Sequence, residues 1–109
     1  MIEILLGSKS TERVLFYLAA RKEAYGREIA DYYKTSLSPV QKQLERLESA
    51  GVLISKSVGR TRLYFFNPRY AFVKELSALI NKAINFLPPE EQQKLIKFRT
   101  RPRRRAKPL

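Results

Sequence analysis

The chain contains neither cysteine nor histidine. Those two absences exclude disulfides, metal sites built on thiolate or imidazole, and every nucleophilic scheme that needs a thiol or an imidazole base. Negative charge is scarce as well: 10 Asp and Glu stand against 22 Lys and Arg, for a net charge of +12. Long apolar runs are missing. The longest, Val14 to Ala20, falls far short of the roughly 20 residues that span a bilayer. The opening MIEILLGSKS has no basic segment followed by a long apolar one, so no secretory signal is expected. A cytoplasmic protein with no membrane association is the expectation. No nucleophile stands beside a credible base, so an enzyme is the least expected class, and no cofactor or metal is expected.

What is present suffices for one folded body. The chain has 109 residues, 44% of them hydrophobic, and a domain of this length buries about two-thirds of its unfolded surface. The positive charge is uneven. Residues 99–109, RTRPRRRAKPL, hold six basic residues and no acid, whereas residues 1–98 hold 16 basic against 10 acidic residues. Pro102, Pro108 and mutual repulsion predict an extended tail there. The chain divides into a body with a long last helix over residues 1–87, a short terminal helix over 88–98 that is a candidate dimerisation element, and the basic tail over 99–109.

Along the body, Ser10 is placed to cap a helix that runs to about Arg21, with Glu12 in its first turn and Val14, Leu15 and Leu18 as its buried stripe. Ile2, Leu5 and Leu6 suggest a short turn or helix before it. REIADYYK, residues 27–34, reads as a second helix with Ile29 and Ala30 inward. SPVQKQLERLESAG, residues 38–51, is the strongest helix signal. Pro39 suits a first helical position, Ser38 and Gln41 have the spacing of a capping box, and Val40, Leu44 and Leu47 share a face. VLISKSV and RLYFF, separated by GRT, predict a β-hairpin over 52–66. A wide apolar band over 69–87 predicts a long helix, and PEEQQKLIKF a short last one with acids first and lysines later.

The order is helix, helix, turn, helix, hairpin, long helix, short helix. The expected fold is therefore mainly α with a small β-hairpin wing: a winged helix-turn-helix with added C-terminal helices. The run GREIADYYKTSLSPVQKQLERLESAGVLISKSVGRTRLYFFNP, residues 26–68, resembles ArsR-like winged-helix transcriptional regulators. The likeness lies in the second helix, the LS entry to the third, the L-x-x-L-x-x-A-G-V-L passage into the wing, and the wing itself. It covers roughly residues 8–87. It implies a DNA-binding repressor, usually dimeric. Metal-sensing members use Cys and His clusters, which this chain lacks, so metal sensing is not implied. The run is also similar to modules found alone or fused to small nucleotidyltransferases.

In helix-turn-helix docking the N-terminal part of the third helix enters the major groove of double-stranded DNA. Ser38, Gln41 and Lys42 are then the candidates for base edges, with Arg46 next, because Gln pairs with adenine and Lys or Arg with guanine. Glu45 suits cytosine but repels phosphate. Thr35 and Ser36 in the turn suit phosphate contacts, ahead of Lys34 and Arg27. Lys56, Arg60 and Arg62 make the wing basic, and Gly59 suits its tight turn. Each assignment has a plainer counterpart: capping for Gln41, solvation for Glu45 and Arg46, turn chemistry for Thr35 and Ser36, and an ordinary hairpin end for the wing. Tyr64 and Phe66 read as core. The long helix carries more apolar surface than one core needs. Phe72, Leu76, Leu79, Ile80, Ala83 and Leu87 are the candidate homodimer interface, with Phe16 and Tyr17 as possible additions and coverage of the first helix as the alternative.

The leading expectation is a sequence-specific regulator of transcription that binds duplex DNA, most simply as a dimeric repressor. Two other functions fit the same residues. One is a protein-interaction winged helix, for example a partner of a nucleotidyltransferase. The other is nonspecific nucleic-acid binding through the tail. The most helix-like segment, 38–51, carries no net charge, which suits a reader of bases better than an electrostatic clamp.

Overall fold

The structure, a computed structural model, describes residues 1–97, so the basic tail expected at 99–109 lies outside the described residues. In chain order the elements are α1 (Glu3–Leu6), α2 (Lys9–Arg21), β1 (Glu23–Tyr25), α3 (Gly26–Tyr33), α4 (Leu37–Ser49), β2 (Leu53–Val58), β3 (Thr61–Phe66), α5 (Val73–Asn85) and α6 (Pro89–Lys97). The fold is mainly helical with a three-stranded antiparallel sheet of order β1-β3-β2. It is the winged helix-turn-helix arrangement that the element order predicts.

Helix α2 is the hub. Its cap is Ser8 and not Ser10: the Ser8 hydroxyl accepts from the Thr11 N–H at 3.1 Å. Val14, Leu15, Phe16, Tyr17 and Leu18 are all buried, because α3, α4, α5, α6 and the sheet surround the helix. A helix enclosed on every side needs apolar residues all round, not along one stripe. Phe16 and Tyr17 therefore belong to the chain's own core and are withdrawn from any dimer face.

The sheet has one strand that periodicity did not announce. β1 pairs with β3 through Glu23↔Phe65, Ala24↔Tyr64 and Tyr25↔Leu63. Its middle residue, Ala24, is fully buried. Strands β2 and β3 form the expected hairpin, with Ser55↔Tyr64 and Val58↔Thr61 in register. Its loop is Gly59-Arg60. Gly59 has φ +64°, whereas Arg60 is not among the positive-φ residues. That is the pattern of a type II′ turn, in which glycine at the first central position lets two twisted strands meet closely.

Helix α5 is shorter than the 69–87 expected. Asn67 holds the chain in a turn beforehand: its side chain accepts from the Arg69 N–H at 2.9 Å and donates to the Gly51 carbonyl at 2.9 Å. At the other end, the Gln92 amide donates to the carbonyls of Asn85 (3.2 Å) and Leu87 (3.0 Å), which fastens α6 under the end of α5. Leu95 of α6 is buried against the core. Arg21 donates from Nε to the Leu95 carbonyl at 2.6 Å. The short terminal helix thus folds back on α2 of its own chain. Among the described residues no helix is long and apolar enough to cross a membrane.

Candidate nucleic-acid interface

Helices α3 and α4 meet at the turn Lys34–Ser36. Lys34 ends α3 in the left-handed region, at φ 55°, and the Thr35 N–H donates to the Ala30 carbonyl at 3.0 Å. Helix α4 starts one residue before Ser38, at Leu37, with Ser36 in extended geometry as its N-cap. The capping box expected between Ser38 and Gln41 does not form. Pro39 becomes the third helical residue, a position still inside the first turn, where a backbone N–H has no helical partner to lose. Ser38 is left exposed on the first turn.

Gln41 has other work. Its amide donates to the Tyr64 hydroxyl on β3 at 3.1 Å and to Glu45 at 3.3 Å. Its Oε1 lies 2.7 Å from where a Cβ on Gly26 would stand, and a Leu44 methyl lies 3.2 Å from the same point. The absent side chain of Gly26 is what lets α3 press onto α4 here. Gln41 therefore ties the third helix to the wing as well as standing near its outer surface.

Val40 and Leu44 are buried, and Leu47 is half-buried, on the inner face of α4. Ser38, Lys42, Glu45, Arg46 and Ser49 are exposed on the outer side. Arg46 donates from Nη1 to Gln43 Oε1 at 3.0 Å, and the same oxygen accepts from the Thr11 hydroxyl at 3.1 Å. Lys42 has no hydrogen bond or ion pair among the described residues. It is the cation on this helix whose charge is uncommitted.

On the wing, successive residues alternate between sheet faces. Arg62 lies on the face toward α4: Nε donates to Ser55 Oγ at 2.9 Å and Nη1 to Ser57 Oγ at 3.1 Å. Ser55 in turn donates to Glu48 of α4 at 2.7 Å. This chain of bonds holds the Arg62 guanidinium in place without an ion pair. Lys56 pairs in register with Leu63 and projects from the opposite face, away from Arg62. Arg60 is exposed at the tip. The structure brings Arg60 and Arg62 together with Arg27 and Gln41 around one cleft, of about 320 Å³, between the wing and the starts of α3 and α4. Arg27 stood behind the turn residues on sequence grounds, because only the β1–β3 pairing brings residue 27 near residue 62.

The candidate dimer residues separate into two sets. Ile80 and Ala83 are buried inside the chain's own core, and Leu76 and Leu87 are half-buried against it. Phe72 and Leu79 remain exposed, at 62% and 39%. Phe86, absent from the candidates, is 71% exposed and shares their face at seven-residue spacing. Helix α5 thus carries an inner and an outer apolar stripe.

Beneath the site, the buried Tyr17 and Arg21 form a polar cluster with the half-buried Glu28 and Tyr32. The Tyr17 hydroxyl donates to Glu28 Oε2 at 2.9 Å and accepts from Arg21, whose Nη1 lies 3.8 Å from the same carboxylate oxygen. The Arg21 guanidinium stacks 4.1 Å from the Tyr17 ring centre and 5.2 Å from that of Tyr32. Burial raises the pKa of the Tyr17 hydroxyl, the Glu28 charge raises it further, and Arg21 opposes. Glu28 also accepts from the Tyr25 N–H at 3.2 Å, so one carboxylate joins the start of α3 to α2. Among the described residues no group of three acidic, His or Cys side chains is placed to hold a metal ion.

No protein-family model and no curated protein matches the chain. Solved structures do. An apo form of a double mutant of Lactococcus lactis ZitR is 20% identical and aligns over 97% of this chain and 89% of that one, with a TM-score of 0.54. A structure of ZitR described as a zinc-responsive MarR family member is 18% identical, covering 92% of this chain and 76% of that one, with a TM-score of 0.52. A single-residue mutant of the same protein is also 18% identical, over 92% and 75%, at 0.51. At these identities the likeness is one of fold.

Proposed function

We propose that the chain is a sequence-specific, double-stranded DNA-binding transcriptional regulator that acts as a homodimeric repressor. The observation that carries this reading is the outer side of α4. Its first two turns present Ser38 and an uncommitted Lys42 opposite a buried stripe, and the basic wing flanks them. A helix offered this way, with phosphate-binding groups on both sides, has the geometry of a groove reader. The neutrality of α4 suits that division: arginines around it attract the backbone, and a few polar tips discriminate bases. Thr35 and Ser36 in the turn, and Lys56 on the far face of the wing, are the further backbone contacts.

The likeness to a structure described as a MarR family member supports the winged-helix reading that the ArsR-like resemblance implies, without singling out the ArsR-like family. A zinc response, as in the name of the ZitR structure, does not transfer to a chain without Cys or His. The test is selection from random duplex DNA with the full chain, a chain ending at residue 98, and Lys42→Ala. An enriched motif should survive removal of the tail and degrade in Lys42→Ala. No enrichment with any of the three rejects the regulator, and binding lost on truncation alone supports nonspecific binding through the tail.

A further inference from the structure

We propose that the cleft between the wing and the starts of α3 and α4 is a seat for a single backbone phosphodiester of bound DNA, shared by Arg27, Arg60 and Arg62. This deepens the DNA-binding reading and rests on it. Two elements distant in sequence, the start of α3 with Arg27 and the wing with Arg60 and Arg62, bring three guanidiniums to this cleft, and no carboxylate lines it. Three like charges converging without an acid repel one another, and an anion between them relieves that repulsion. Arginine is the side chain best matched to phosphate, because its planar fork donates two parallel hydrogen bonds.

The donors are available. Arg27 and Arg60 are exposed and have no hydrogen bond or ion pair among the described residues. Arg62 commits Nε and Nη1 to two serines, which orients the group and leaves Nη2 without a hydrogen bond among the described residues. Thr61 adds polar lining, although its hydroxyl already donates to the Val58 carbonyl at 2.9 Å. The back of the cleft is closed by the Gln41–Tyr64 bond and by Gly26. Glu45 accepts from the Gln41 amide but lies outside the lining, so it sets a negative edge on the α4 side. The volume, about 320 Å³, is at the small end of ordinary ligand clefts, roughly 300–1,000 Å³. Such a cleft takes a phosphate and neighbouring sugar atoms rather than a large apolar ligand.

Sharing makes the proposal distinguishable from three independent surface contacts. The binding of labelled duplex DNA is measured by fluorescence anisotropy across a salt series, for wild type, Arg27→Ala, Arg62→Ala, the double variant, and Lys74→Ala on α5 as a control. Circular dichroism confirms that the variants fold. Arg27→Ala should weaken binding about tenfold, as expected for one charge-assisted contact, and Lys74→Ala should leave it unchanged. The double variant, which keeps Arg60 on the same phosphate, should lose no more than about 0.9 from the log–log salt slope, the equivalent of one phosphate. A loss of about twice that would mean two separate phosphates and would overturn the shared seat. Unchanged affinity in Arg27→Ala, with wild type binding normally, would overturn it too while leaving the regulator reading intact. If no form binds duplex DNA, both readings fall. A nucleoside monophosphate added at millimolar concentration should not displace the duplex. Displacement from wild type but not from Arg27→Ala would assign the cleft to a free phosphate ligand instead.

Discussion

Gln41 shows how a residue's role turns on one position of helix register. Its distance from Ser38 is that of a capping box, but α4 begins at Leu37, so the amide is free to reach Tyr64. Tyr64 is 2% exposed, and the loss of its partner leaves a buried hydroxyl less well satisfied. Gln41→Ala should therefore cost about 1–2 kcal/mol of stability in urea denaturation. In a double-mutant cycle with Tyr64→Phe, the two losses should sum to more than the double variant shows; strict additivity would mean that the bond contributes nothing. Tyr17 gives a second residue-scale expectation. Its pKa is raised in the folded state, so above the ordinary tyrosine value of about 10 the unfolded chain releases a proton that the folded chain keeps. The contribution is fully present below pH 10 and is lost as the pH rises beyond it. Denaturation at pH 8 and pH 11 should show a drop that is smaller in Tyr17→Phe. The chain's residue types point to a basic wing and a polar third helix, but hydrogen-bond partners such as Gln41–Tyr64 depend on which strand crosses which helix, and spacing along the chain carries no record of that.

At the scale of elements, the helices were legible because amphipathic spacing and proline or glycine punctuation agree. The hairpin was legible because two β-branched and aromatic runs flank a glycine. Strand β1 was not. EAY is too short to show alternation, and its buried residue is an alanine, so what makes it a strand is the partner β3 and not its own composition. The same holds for the contact between α3 and α4, where Gly26 looks like a helix breaker and is instead the first residue of α3, placed for close approach. Gly26→Ala would set a Cβ 2.7 Å from Gln41 Oε1. It should cost about 1–3 kcal/mol, seen as a lower melting temperature, and should weaken duplex binding by shifting α4. Unaltered melting would mean that Gln41 moves aside freely.

At the scale of the whole molecule, periodicity identifies α5 as apolar on more than one side but does not say which side the chain itself covers. The inner stripe, with Ile80, Ala83 and Ile84, is used at home. The outer one reads Phe72, Glu75, Leu79, Lys82, Phe86. Two copies crossing antiparallel about Leu79 would set Phe72 against Phe86 of the other and bring Glu75 close to Lys82. A two-fold interface requires that kind of self-complementarity. In sedimentation, Leu79→Glu should be monomeric where wild type is dimeric, with the melting of the single chain little changed because Leu79 lies outside the core. Two monomeric samples would reject this assembly.

The pairing of β1 with β3 has a consequence for how the protein comes apart. It closes a loop in the chain that contains both α3 and α4 and then hands directly on to the hairpin. Ordering that loop carries an entropic cost which the finished sheet offsets, so amide exchange should show the two helices and the wing opening together, and separate, earlier exchange of β2 and β3 would show that the wing detaches on its own. A sheet strand of three residues thus ties the start of α3 to β3, and the Gln41–Tyr64 bond ties β3 in turn to α4.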